Sequence, residues 1–356
     1  NHGGFALARW TRELADDSRT SLQFFYDRRV QDTQGFKEDR DQYDVEFQHQ
    51  LGLGTRNNLV WGGGYRLNLD RLEPGTATFL PAEEEVHQFN LFLQDTLTLV
   101  PERLTFTPGV KLELHEYTGL EVQPGARLAW TPHAHHTFWA SVARAVRTPS
   151  RADETFQIPA VSLPNTALSS ERLTAYELGY RTQPHPQLTL DTALFYNDYD
   201  RLRSTERPFL PATTPTVRGS LLRGETYGVE GIAAWQATEQ WRLTASYTYL
   251  NMQLHLDPGS TAAAAGAAAP ERQSPRHQAA LRSRLDLSSN VEFDTAFRYV
   301  DSLPGLAPGI PAYWTTDVRL AWRPRKEVEL SVVGQNLAAR SHPEFTTGNA
   351  GPLPRE

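Results

Sequence analysis

Apolar and polar residues alternate along much of this chain with a period of two. Leu104, Phe106, Val110, Leu112 and Leu114 are interleaved with Thr105, Thr107, Lys111, Glu113 and His115. Ala279, Leu281, Leu285 and Leu287 alternate with Gln278, Arg282, Arg284 and Asp286. Val291, Phe293, Phe297 and Tyr299 stand against Glu292, Asp294 and Arg298, and Trp314, Val318, Leu320 and Trp322 against Asp317, Arg319 and Arg323. Side chains of a strand point to opposite faces in turn, so each segment predicts a strand with one apolar and one charged face. About sixteen segments of roughly 10–13 residues can be traced, longer than globular strands of ~5–6 residues and suited to a tilted bilayer crossing.

The links between them alternate short and long. Short ones fall near Asp16-Asp17, Gly54 to Asn57, Pro101-Glu102, His133 to His136, Pro184 to Pro186, Thr238-Glu239, Ser288-Ser289 and Arg325-Lys326. Long ones are expected at 31–41, 70–84, 148–169, 200–223, 253–275 and 302–312, with Tyr117-Thr118-Gly119 the short exception on that side. A soluble sandwich has no reason to keep its long loops at one end, whereas outer-membrane barrels pair short periplasmic turns with long extracellular loops. Trp10, Trp61, Trp130, Trp139, Trp235, Trp241 and Trp322 cluster near short turns, and Trp314 borders a long loop. Tyr26, Tyr43, Tyr117, Tyr199, Tyr227, Tyr299 and Tyr313 lie toward the long loops, as two aromatic girdles require. The fold class expected is all-β, an antiparallel up-and-down transmembrane barrel. A solenoid or propeller would show a fixed repeat, and none is visible.

Composition refines this picture. The 356 residues are 39% hydrophobic with no apolar run long enough for a membrane helix. Mean hydropathy is −0.52, which in a barrel reflects averaging over two unlike faces. A net charge of −7 gives no basic field for nucleic acid. The absence of cysteine excludes disulfides and thiolate metal sites. Asn1-His2-Gly3-Gly4 is not a signal peptide, so the chain reads as a fragment. Ala262 to Ala269 reads as a flexible loop.

Several segments resemble the barrel of TonB-dependent receptors. They are Asn90-Leu91-Phe92-Leu93-Gln94-Asp95 followed by Leu104 to Lys111, and Ser141 to Ser150 (SVARAVRTPS). Leu168-Ser169-Ser170-Glu171 with Tyr176-Glu177-Leu178-Gly179-Tyr180, Phe195-Tyr196-Asn197-Asp198-Tyr199, and Gly334-Gln335-Asn336-Leu337 complete the set. Their order and spacing across nearly the whole chain carry the resemblance. It implies a 22-stranded barrel holding a plug, of which residues 1–356 are an incomplete barrel domain. The plug and its TonB box would lie outside the chain, as would the final strand, normally aromatic-ended, where this chain stops at Pro354-Arg355-Glu356. It further implies the outer membrane of a Gram-negative bacterium, with TonB-driven uptake of a scarce ligand, first of all a ferric siderophore. Partners would be that ligand, the TonB complex acting through the plug, and membrane lipid. A passive porin of about sixteen strands is the alternative, for which a loop narrowing the lumen would speak. An outer-membrane enzyme would need a Ser or Asp/His set at the rim, and none can be picked out. No cofactor is expected.

Candidate site residues lie in the long loops. Arg147 and Arg151 flank Thr148-Pro149, and Arg201, Arg203, Arg207, Arg218 and Arg223 crowd one link beside Tyr199, Phe209 and Tyr227. Guanidinium groups offer a fixed fork to carboxylate oxygens, which suits an anionic ferric chelate. The ordinary alternative is a solvated loop, with Asp200 and Glu206 offsetting the charge. The resemblance also implies a His between two such motifs in a haem receptor; none separates Val146-Arg147-Thr148-Pro149 from Leu163-Pro164-Asn165, which disfavours haem. His133, His135 and His136 crowd one turn, which is more simply a solvated turn than a metal site. The inward charges of the strands, Lys111 and Glu113 through Arg319 and Arg323, read as a wet lumen wall.

Overall fold

The computed structural model describes residues 1–338 except 16, 34, 210 and 306–308, and the backbone of Pro343–Thr346 and Pro352–Pro354. Asp16 of the first expected turn and the terminal Arg355-Glu356 lie outside the described residues. The main sheet has 17 strands, one of them the two-residue Ser162–Leu163. The other sixteen are long: β1 (His2–Ala15), β2 (Ser18–Asp32), β3 (Phe36–Leu53), β4 (Asn57–Pro74), β5 (Glu83–Val100), β6 (Leu104–His115), β7 (Gly119–His133) and β8 (His136–Arg147). They continue as β9 (Glu171–His185), β10 (Leu188–Glu206), β11 (Thr216–Thr238), β12 (Trp241–Leu256), β13 (His277–Ser288), β14 (Val291–Val300), β15 (Tyr313–Arg325) and β16 (Val328–Gly334).

Each long strand pairs antiparallel with its successor in the chain, the up-and-down order expected from the alternating links. The registers sort the side chains into two faces. Leu91 lies opposite Leu112, Leu112 opposite Val122, Leu178 opposite Leu194, and Leu281 opposite Phe297. This outer face leaves large apolar groups uncovered, Leu91 at 64% exposure among them, because lipid is its solvent. On the other face the charges neutralise one another: Lys111 Nζ lies 2.7 Å from Glu113, and Arg298 2.6 Å from Asp317. Arg319 reaches Glu292, Asp294 and Glu329 at 2.6–2.9 Å. Transmembrane β-barrel wall, apolar outside and polar inside, is therefore the architecture.

Several expected links shorten, that at 70–84 to 75–82 among them. Strands run on beyond the apolar band, so the link expected at 31–41 contracts to 33–35, and that at 200–223 to 207–215. Backbone pairing satisfies N–H and C=O groups in water as well as in lipid, and β10–β11 keeps pairing to Glu206↔Val217 through two bulges. Arg201, Arg203, Arg218 and Arg223 consequently sit on strands, and only Arg207 lies in the link.

The tryptophan girdle holds with one exception. Trp10, Trp61, Trp130, Trp235, Trp241, Trp314 and Trp322 are exposed on the apolar face. Trp139 instead faces the lumen, directly opposite Gly179, with Arg127 stacked 5.1 Å from its ring. The glycine makes this possible, since a Cβ at Gly179 would collide with the indole. Phe92 over Gly62 and Phe195 over Gly228 repeat the arrangement. Tyr199 shares the lumen-facing row with Phe195 and also leaves the expected girdle.

Among the described residues no pairing joins β1 to β16. Both strands are exposed on both faces, with Phe5 at 74% and Val332 at 75%. The largest fully buried side chains lie at the long-loop rim, where Pro149, Glu154, Ser170 and Ile310 are each less than 2% exposed.

Candidate functional site

The rim is built around the segment between β8 and β9. The β6–β7 hairpin turns in three residues, and residues 148–170 bring Glu154 close to its Tyr117. The segment opens with Ser150, whose hydroxyl accepts from Asp153 N–H while the Asp153 carboxylate accepts from Ser150 N–H. This reciprocal cap fixes the single helical turn α1 (Arg151–Glu154). Beyond it Phe156 pairs with Phe79 of the β4–β5 connection, their rings 5.4 Å apart and edge-on, and Phe36 closes on Phe79 at 5.2 Å. Ser162 and Leu163 then pair in parallel with Thr216 and Val217 of β11. The segment is thus stitched to the rim on both sides.

The structure brings three of the eight expected site residues together. Arg147, Arg203 and Arg218 converge on Asp153 at 3.3, 3.6 and 2.9 Å. Arg147 Nε also donates to Glu171 at 2.7 Å, and Arg218 lies over the Phe156 ring at 5.5 Å and donates to the Ala152 carbonyl. Arg203 is largely buried and donates to the Ser169 carbonyl and the Ser220 hydroxyl. Arg151, on the same helical turn as Asp153, points to the other side. It is buried between Asp70 and Glu84, 3.3 Å from the latter, and donates to the Pro81 carbonyl.

The other four lie apart. Arg201 has positive φ at the β10 bulge and lies 3.5 Å from Asp200. The register puts Arg223 on the outer face with Tyr227, 3.5 Å from Asp257. Arg207 joins the 257–276 link through its N–H to the Thr261 hydroxyl. Tyr199 faces the lumen below the rim. At the opposite end, His136 Nδ1 is 2.8 Å from the Tyr180 hydroxyl, and among the described residues no His/Asp/Glu group has metal-binding geometry.

Carboxylates decide the electrostatics of the rim, and sequence reasoning passed over them. Burial pushes Glu154 up to about 7, opposed by Arg203 and reinforced by Asp153 and Glu84; its Oε1 has no hydrogen-bond partner. Burial likewise raises the Tyr117 hydroxyl, with the nearby Glu84 carboxylate adding to the shift. Asp153 behaves oppositely: burial would raise it, but the Ser150 N–H and hydroxyl, then Arg203 and Arg147, hold it below the ordinary range. The one sequence signal for this group was the Ser150-x-x-Asp153 spacing of a helix cap.

The profile described as TonB dependent receptor-like, beta-barrel matches residues 4–337. The chain belongs to that family. Solved structures similar to this TonB-dependent receptor barrel include the ferric enterobactin receptor of Pseudomonas aeruginosa, with a TM-score of 0.74 and 14% identity over 99% of this chain and 58% of that one. The siderophore receptor PiuA of Acinetobacter baumannii gives 0.76 and 14% over 99% and 62%. The copper transporter OprC gives 0.75 and 13% over 99% and 63%. At such identities the likeness carries the fold, and the chain spans about three fifths of each of these proteins.

Proposed function

We propose that residues 1–356 form the greater part of the barrel wall of an outer-membrane receptor in a Gram-negative cell. The receptor captures an anionic ferric siderophore at its long-loop rim and takes it up with the TonB complex. The observation that carries this reading is the convergence of Arg147, Arg203 and Arg218 on Asp153. Three guanidinium groups meet the carboxylates of Asp153 and Glu171, and the Arg147 and Arg218 side chains remain 55% and 38% exposed. A chelate carrying carboxylate or catecholate oxygens can bridge their free edges. The siderophore receptors among the similar structures support the ligand class, and the copper transporter among them keeps a metal cargo without siderophore as the second reading. A porin's narrowing loop would hang into the lumen, whereas residues 148–170 are stitched to the rim at Phe79 and Thr216.

The test is equilibrium binding of ferric catecholate and ferric hydroxamate siderophores to the whole receptor. Arg147→Ala with Arg218→Ala, the two arginines of the cluster that stay exposed, should weaken a bound chelate by more than about tenfold. Unchanged affinity for every chelate that the wild type binds would remove the rim arginines from recognition.

A further inference from the structure

The lumen face of β12 and β13 carries arginines that the wall does not neutralise. Arg242 lies directly opposite Arg284 in the register, and Arg282 opposite Thr244. Like charges placed opposite each other on one sheet face repel. Arg284 reaches Glu292 and Asp294 only at 3.5 Å, because both carboxylates are already held by Arg319 at 2.9 Å. Arg323 takes Glu292 as well, at 3.3 Å, and Arg298 takes Asp317 at 2.6 Å. Among the described residues, neither Arg242 nor Arg282 has a carboxylate within salt-bridge distance, and both are exposed. Arg242, Thr244, Arg282, Arg284 and Arg319 line one hollow of about 430 Å³, together with the carboxylates of Asp294 and Asp317, which Arg319 and Arg298 hold.

We propose that this hollow is a second binding site, for a carboxylate or phosphate group. The guanidinium groups of Arg242, Arg282 and Arg284 would grip its oxygens, and the Thr244 hydroxyl would donate to them. An anion there relieves the opposed arginines and completes a charge pattern that the wall leaves open. The site is separate from the rim. Arg242 follows the short turn after β11 by two residues, whereas β12 reaches the long-loop end at Leu256, roughly 45 Å further along the strand at ~3.3 Å per residue. An anion that has left the rim would meet it at the far, short-turn end of the lumen. The inference stands on the wall alone, so it holds for a passive pore as well as for a receptor.

The experiment is calorimetric titration of the detergent-solubilised whole protein at low ionic strength, with citrate and with inorganic phosphate as separate probes. The comparison is Arg242→Gln/Arg282→Gln, exposed positions with no ion pair for the wall to lose. Saturable binding of either probe, weakened more than about tenfold in the double variant and by added salt, is expected. The stronger probe then identifies the group as carboxylate or phosphate. Equal affinity in wild type and double variant, or no binding of either probe to the wild type, would overturn the site.

Discussion

Glu154 should make the closure of the rim depend on pH. Its carboxyl is 1% exposed, one oxygen lacks a hydrogen-bond partner, and burial raises it from 4.5 to about 7. An acid raised in the folded state binds its proton more tightly there than in the opened segment. Its contribution to closure is therefore complete below about pH 4.5 and is lost as pH rises through about 7. That interval corresponds to roughly 3 kcal/mol at ~1.4 kcal/mol per unit, enough to change the open population of residues 148–170 about a hundredfold. Asp153, by contrast, is held low and acts only in more acidic solution. Hydrogen exchange of amides 148–170, corrected for intrinsic rates, should show protection falling between about pH 5 and about pH 8. In Glu154→Gln, which keeps the shape without the ionisation, protection should stay level across that range and exceed wild type at the upper end. A wild-type segment with flat corrected protection, or a Gln variant that keeps the wild-type slope, would refute the reasoning.

Two further outcomes follow from the same packing. Arg151→Ala leaves Asp70 and Glu84 as uncompensated buried carboxylates, a change that costs about 3–5 kcal/mol in comparable settings, so trypsin should cut within 148–170 while the barrel strands stay protected; a segment as resistant as wild type would argue against the anchoring role. The two unpaired edges of β1 and β16 and the apolar outer face predict that the 356-residue chain aggregates in water without detergent; a monodisperse β-rich monomer would contradict this.

Much of the fold was legible because a barrel strand writes its two faces into alternate residues. Leu104 to His115 could be assigned to both faces from the sequence, and the β6–β7 register agrees. Trp139 could not, since its inward turn depends on Gly179, forty residues away and opposite it only once β8 and β9 pair. The extents of β10 and β11 escaped for a similar reason: Thr205 and Arg218 have no apolar face to display, and their pairing rests on backbone bonds alone. The candidate site was half legible. Arginines near the long links could be named, but which of them remain available to a ligand depended on carboxylates brought in from other strands. Asp70 and Glu84 take Arg151, Glu171 takes Arg147, and Asp257 faces Arg223.

The sequence by itself determined the class of protein, its strand count of about sixteen and its two-sided wall, because period-two alternation and link length are local properties. Only the tertiary structure decided that residues 148–170 bring Glu154 to Tyr117, that Arg151 is an anchor, and that, among the described residues, Arg242 and Arg282 stand without a counter-charge. Charges pair through space with partners far off in sequence, and their fate is fixed only when the strands that carry them are set side by side.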